Sequence, residues 1–145
     1  TEPKWRPDVG GPMMHPTAGA AIVGARFPLI AYNVDLATDR LDIAKAIAKK
    51  VREKDGGLPA VRALGMELKE RRIVQVSMNL VNYERTGIHQ AFEAVREESE
   101  KCGVRVLGSE VVGLVPLEAL VKSAGHFLML ENFKSSQILE THLQK

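Results

Sequence analysis

The run RIVQVSMNLVNY, residues 72–83, constrains the fold more than any other stretch. Val74, Val76, Met78 and Leu80 alternate with Gln75, Ser77 and Asn79. An extended backbone turns the first set to one side and the second to the other. The run LPAVRALGMEL precedes it across KERR, and the pair reads as a β-hairpin. One face of this hairpin needs a core; the other is polar enough to stay open.

The flanking segments supply that core. Residues 20–36, AAIVGARFPLIAYNVDL, read as a long strand, with Pro28 requiring a bulge or an edge position because it has no backbone donor. Beyond it, Ile43, Ile47 and Val51 with Ala44 and Ala48 repeat at helical spacing after a cap at Thr38 or Asp39. The helix stops at KDGG, where Gly56 or Gly57 takes the left-handed residue. A second helix follows Thr86, with Ile88, Ala91, Phe92 and Val95 on one face and Gly103 at its end. VRVLGSEVVGLV is a fourth strand, and Pro116 suits the first position of a third helix. Ser135 or Ser136 caps a last short helix. The order strand, helix, strand, strand, helix, strand, helix is the split βαβ, ferredoxin-like pattern. The expected class is α/β (α+β): a mixed or antiparallel sheet, helices on one face, extra C-terminal helices, and the Gln75, Ser77 and Asn79 row on the open face. That row is either solvated or covers something.

Composition removes several functions. At 145 residues the chain makes about one domain. A net charge of +2 is too small to argue for nucleic acid or an anionic membrane. One Trp, two Tyr and four Phe make a poor stacking platform for single strands. No apolar run reaches the roughly 18–20 residues of a membrane span, and no signal peptide is visible. The single Cys102 suits a reducing cytosol and is expected to pack on the apolar face of the second helix. The chain opens with TEPKWRPD rather than Met, which reads as the middle of a longer protein.

Chemistry is sparse. His15, His89, His126 and His142 do not fall at metal-ligand spacing, and no P-loop, nucleophile elbow or dinucleotide fingerprint occurs. Glu97, Glu98 and Glu100 read as a solvated helix face. His89 falls in a first helical turn, where a neutral ring making one hydrogen bond is expected. Glu110 stands among apolar residues and glycines; on the open face it would take a cationic or N–H-rich ligand, and buried it would need a partner. The richest stretch is DVGGPMMHPTAGAAIVGAR, residues 8–26. Its glycines permit close backbone approach and its prolines stiffen it. Exposed N–H groups in such a loop suit an anion or the edge of a heterocycle. Composition leaves cradle and plain lead-in coil equally open.

Taken together, WRPDVGGPMMHPTAGAAIVGAR, LIAYNVDL, LPAVRALGMEL, VQVSMNLVNYERTGIHQAFEAVREES and GSEVVGLVPLEAL resemble the second half of the glutamate formimidoyltransferase (formiminotransferase) family, from Trp5 to about Leu130. The resemblance implies residues 1–19 as lead-in and folate-binding loop, and 20–145 as a carboxy-terminal subdomain. It implies transfer of a formimino group from N-formimino-L-glutamate to tetrahydrofolate in histidine degradation, with folate held between two subdomain sheets. The family's folate loop falls on Gly10, Gly11, Pro12, Met13, Met14, His15, Pro16, Thr17, Ala18 and Gly19. Arg26 is in place to meet a substrate carboxylate or to form a strand-end salt bridge. The resemblance further implies an amino-terminal partner subdomain, a homodimer, a cytoplasmic enzyme, no metal, and no nucleic-acid or membrane partner. The family's catalytic His lies in the other subdomain, so no catalytic residue is assigned and neither His15 nor His89 replaces it. The chain alone is then expected to be inactive. One departure stands beside Arg26: GARFPLIAYN carries Phe27 before Pro28, which alters the expected strand pairing there. Rival expectations are a 5-formyltetrahydrofolate–glutamate formyltransferase, a non-catalytic small-molecule-binding or assembly module, and an open sheet face that serves only as a dimer interface.

Overall fold

In the computed structural model, which describes residues 6–143, the elements in chain order are β1 (Ile30–Leu36), α1 (Leu41–Val51), β2 (Val61–Leu68), β3 (Ile73–Leu80), α2 (Ile88–Lys101), β4 (Val106–Val112), α3 (Leu117–Phe127) and a short α4 (Glu140–Leu143). The strands form one sheet in the order β2-β3-β1-β4, antiparallel throughout. Because β3 lies between β1 and β2, the βαβ unit is split, as the sequence order predicts.

The alternation in β3 is realised. Val74, Val76, Met78 and Leu80 are buried with Ile30, Tyr32, Val34 and Leu36 of β1, under the apolar sides of α1 and α2. Helix α1 sits so close to β2 that a Cβ on Gly65 would lie 2.4 Å from the backbone nitrogen of Lys45. Small residues on both sides, Ala63 and Gly65 against Ala44 and Ala48, permit this approach. Thr86 donates its hydroxyl to the Pro59 carbonyl at 2.6 Å and ties the start of α2 to the approach of β2.

Several local expectations are corrected. The first strand starts at Ile30, not near residue 20, because Ile30 pairs with Leu80 at the end of β3 and residues 20–29 find no strand beside them. Ile22 and Val23 are accordingly exposed, and Pro28 precedes the ladder instead of bulging within it. Cys102 is exposed rather than packed, since α2 ends at Lys101 and the left-handed Gly103 turns the chain away. The cap of α1 is Arg40; Thr38 supports the turn before it, accepting the Arg40 N–H at 3.2 Å. Pro116 caps α3 rather than occupying its first turn, and Ser135 lies inside a 3-10 turn, Ser135–Gln137, ahead of α4.

Candidate functional site

The register places Asn33 and Asp35 of β1 beside Ser77 and Gln75 of β3, on the sheet face opposite α1 and α2. Asn33 also pairs with Glu110 of β4, and Asp35 with Gly108. These polar side chains form one connected network. Gln75 Nε2 donates to Asp35 Oδ1 at 2.8 Å and to Glu110 Oε1 at 3.2 Å. Asn33 Nδ2 donates to the same Glu110 oxygen at 3.0 Å. Arg71, from the turn between β2 and β3, donates Nη1 to Asp35 Oδ2 at 2.5 Å.

The network explains how polar groups tolerate their positions. Asn33, Asp35 and Gln75 are 9%, 9% and 5% exposed, so each needs partners to offset lost hydration. Asp35 has one amide and one guanidinium, one on each carboxylate oxygen. Arg71 is half in water, which limits the Coulombic gain and leaves charge compensation as its main contribution. Glu110 is exposed and different: two amides hold it, and among the described residues no Lys or Arg pairs with it. Apolar side chains flank the network. Leu64 and Met66 of β2 pair with Ser77 and Gln75 on one side, and Val112 of β4 pairs with Ala31 on the other. All three are exposed.

The lead-in lies apart from this network. Residues 6–28 are exposed apart from the half-buried Gly19, and their hydrogen bonds among the described residues are local. The His15 ring organises a turn: its Nδ1 accepts the Thr17 N–H at 3.3 Å and the Ala18 N–H at 3.1 Å, while Gly19 N–H donates to the His15 carbonyl at 3.0 Å. Gly10 and Gly19 carry left-handed φ angles of 96° and 69°. Gly11 is exposed, and Pro12, Met13, Met14, Pro16, Thr17 and Ala18 present their side chains to water. Arg26 donates to the Phe27 carbonyl at 3.3 Å. Ser77 and Asn79 lie on the open face as expected from the alternation, without side-chain hydrogen bonds among the described residues. Asn33, Asp35 and Arg71 are members of the site that sequence reasoning missed. The i, i+2 spacing of Asn33 and Asp35 inside IAYNVDL is the signal that would have found the first two.

On the helix side, His89 of α2 stacks on His126 of α3, and His126 Nε2 meets Glu93 Oε2 at 3.1 Å. His89 Nδ1 is buried without a hydrogen-bond partner among the described residues. A Cβ on Gly87 would meet this ring at 2.8 Å, so a larger residue there would push the His89 ring from its place over the helix start. Beside the rings a cavity of about 600 Å³ is lined by His89, Lys122, Phe133 and Lys134. No group of three or more His, Cys, Asp or Glu among the described residues could hold a metal ion, and no described helix is long and apolar enough to cross a membrane.

The family model described as "Formiminotransferase domain" matches residues 31–143. The chain belongs to this family. It is 48% identical over 143 residues to glutamate formimidoyltransferase of Streptococcus pyogenes serotype M1, covering 98% of this chain and 48% of that protein. With the glutamate formimidoyltransferase of Thermoplasma acidophilum the identity is 49%, over 99% of this chain and 47% of that protein. The formimidoyltransferase-cyclodeaminase of Sus scrofa is 39% identical over 89% of this chain and 25% of its own length. The chain thus spans about half the length of the glutamate formimidoyltransferases it matches. The formiminotransferase match takes in Asn33, Asp35, Gln75 and Glu110 and begins beyond Gly10–Gly19 and Arg26.

Proposed function

We propose that this chain forms one wall of the folate site in a glutamate formimidoyltransferase, which moves a formimino group from N-formimino-L-glutamate to tetrahydrofolate in histidine degradation. The observation that carries the reading is the open sheet face: a polar hydrogen-bond network bordered by exposed Leu64, Met66 and Val112. A reduced pterin is flat, has apolar faces and carries N–H and carbonyl groups on its rim. A sheet face with a polar centre and apolar flanks fits such a body. Tetrahydrofolate, as the substrate, supplies the amine nitrogen that receives the one-carbon group.

The chain's own residues bind and orient. Asn33, Gln75 and Glu110 face the rim of the heterocycle. The lead-in, Gly10 to Gly19, brings backbone N–H groups against it, with His15 shaping the turn and not acting as an acid or base. Arg26 takes a carboxylate, for which its guanidinium has the matching fork. The acid–base group comes from the amino-terminal half of the enzyme, and the assembled protein is a cytoplasmic homodimer.

Calorimetry and a turnover assay test this together. The 145 residues alone are expected to bind 5-formyltetrahydrofolate weakly and to show no turnover; turnover is expected once the amino-terminal half is supplied. Turnover by the chain alone, or no folate binding with both halves present, defeats the proposal. Offering N-formimino-L-glutamate and 5-formyltetrahydrofolate as alternative donors separates formimino from formyl transfer.

A further inference from the structure

We infer that Glu110 is the acceptor for an amidine-type N–H pair on the ligand, an inference that rests on the folate-wall reading above and assigns its central contact. The two carboxylates of the open face differ in a way that selects one of them. Asp35 is buried, and both its oxygens are taken, Oδ1 by Gln75 and Oδ2 by Arg71. It is a structural anion with its charge already compensated. Glu110 is exposed, and both amide donors, Asn33 Nδ2 and Gln75 Nε2, converge on Oε1.

A carboxylate oxygen accepts about two hydrogen bonds. Oε1 is therefore filled, and Oε2 keeps its full capacity. Two donors on one oxygen also fix the carboxylate's orientation before any ligand arrives, so little side-chain freedom remains to be lost on binding. The donors are themselves held: Gln75 is anchored on Asp35, which Arg71 pins from the β2–β3 turn. What remains is a pre-aimed anionic acceptor with no cation of its own among the described residues.

Its surroundings leave room for a planar group. Gly108, two residues back on the same face of β4, has nothing within 4 Å of where a Cβ would stand. Bare backbone therefore lies on one side of Glu110 and the exposed Val112 on the other. A ligand carrying adjacent N–H donors, cationic or polarised, satisfies Oε2 and lies flat over this gap. Two substrates of the proposed reaction carry such an edge. One is the 2-amino-4-oxopyrimidine rim of the folate; the other is the formamidine of N-formimino-L-glutamate.

The test is isothermal titration of the full-length transferase and its Glu110→Gln variant with three probes: 5-formyltetrahydrofolate, N-formimino-L-glutamate and p-aminobenzoylglutamate, which lacks the pterin. Glu110 is exposed, so the variant is expected to fold, and a matched thermal melt verifies this. The expected result is at least a tenfold loss of affinity for 5-formyltetrahydrofolate, with p-aminobenzoylglutamate unchanged. A loss confined to N-formimino-L-glutamate supports the same acceptor and assigns the formamidine as its source. If the wild type binds the probes and E110Q binds all of them equally well, the inference is overturned while the folate-wall reading stands. If the wild type binds no folate, that reading fails and Glu110's role fails with it.

Discussion

The His126 ring lies 4.6 Å from the His89 ring, centroid to centroid, with the two planes 29° apart. This contact joins α3 to the first turn of α2. Glu93 holds the far ring, while the buried Nδ1 of His89 has no partner. His89 is pushed below the ordinary histidine pKa, first by burial and then by His126; Glu93 opposes this and Lys122 adds to it.

A pH dependence of stability follows from that direction. The unfolded chain binds the His89 proton more readily than the folded one, so folding is favoured as pH rises. The contribution is complete above the unfolded value of about 6.5 and is lost as pH falls through the lower folded value. Urea midpoints measured from pH 8 to pH 5 are expected to decline on the acid side. His89→Phe keeps a ring in the stack and should flatten that decline; an unchanged slope in the variant assigns it to other groups.

Gly65 to Ala is expected to be costly although it adds a single carbon. The new Cβ would stand 2.4 Å from backbone of α1, which cannot rotate aside as a side chain would. Overpacking of this kind costs about 1–3 kcal/mol. Chemical denaturation of the chain measures it, and a variant within 0.5 kcal/mol of wild type would show that α1 moves freely on β2.

Gln75 to Leu removes the donor that links the two carboxylates of the open face. Asp35 then keeps only the half-exposed Arg71, and a buried acceptor loses a partner at a cost of about 1–3 kcal/mol. The same change frees Glu110 to rotate. Stability and affinity for 5-formyltetrahydrofolate are expected to fall together, read by urea titration and calorimetry on one preparation.

Leu64 and Met66 give the opposite pattern. Both are exposed, so replacing them with Ser is expected to shift stability by no more than about 0.5 kcal/mol. If they border the folate, affinity for a reduced folate drops while the melting curve does not move. Equal affinity in the double variant places the ligand off this part of the sheet.

The periodic part of this fold is legible in the sequence. Alternation at Val74, Val76, Met78 and Leu80 identified both the strand and its buried side, and the helical spacing of Ile43, Ile47 and Val51 identified the face α1 buries. Short-range patterns carry such information because they repeat within one element. Apolar Ile22 and Val23 extend the expected first strand beyond its real start, because a strand also requires a neighbour and none lies beside them. Glu110 stands out among its apolar neighbours, but its partners Asn33 and Gln75 come from other strands and meet it only through the register. Arg71 sat in a turn with no pattern at all, and its role follows from where that turn ends up. The His89–His126 stack likewise depends on how α3 packs on α2, which no local spacing encodes.

The central place of β1 has a consequence for synthesis on the ribosome. Ile30, Tyr32, Val34 and Leu36 emerge first, yet their partners belong to β3 and β4, which are made much later. At roughly 5–20 residues per second, the nascent β1 waits seconds with an apolar side and two unpaired edges. Among the described elements, α1 and β2 are the ones that emerge in that interval and can shelter it. Ribosome profiling with trigger-type holdases should therefore find the nascent chain most tightly held until β3 has cleared the exit tunnel, and released soon after.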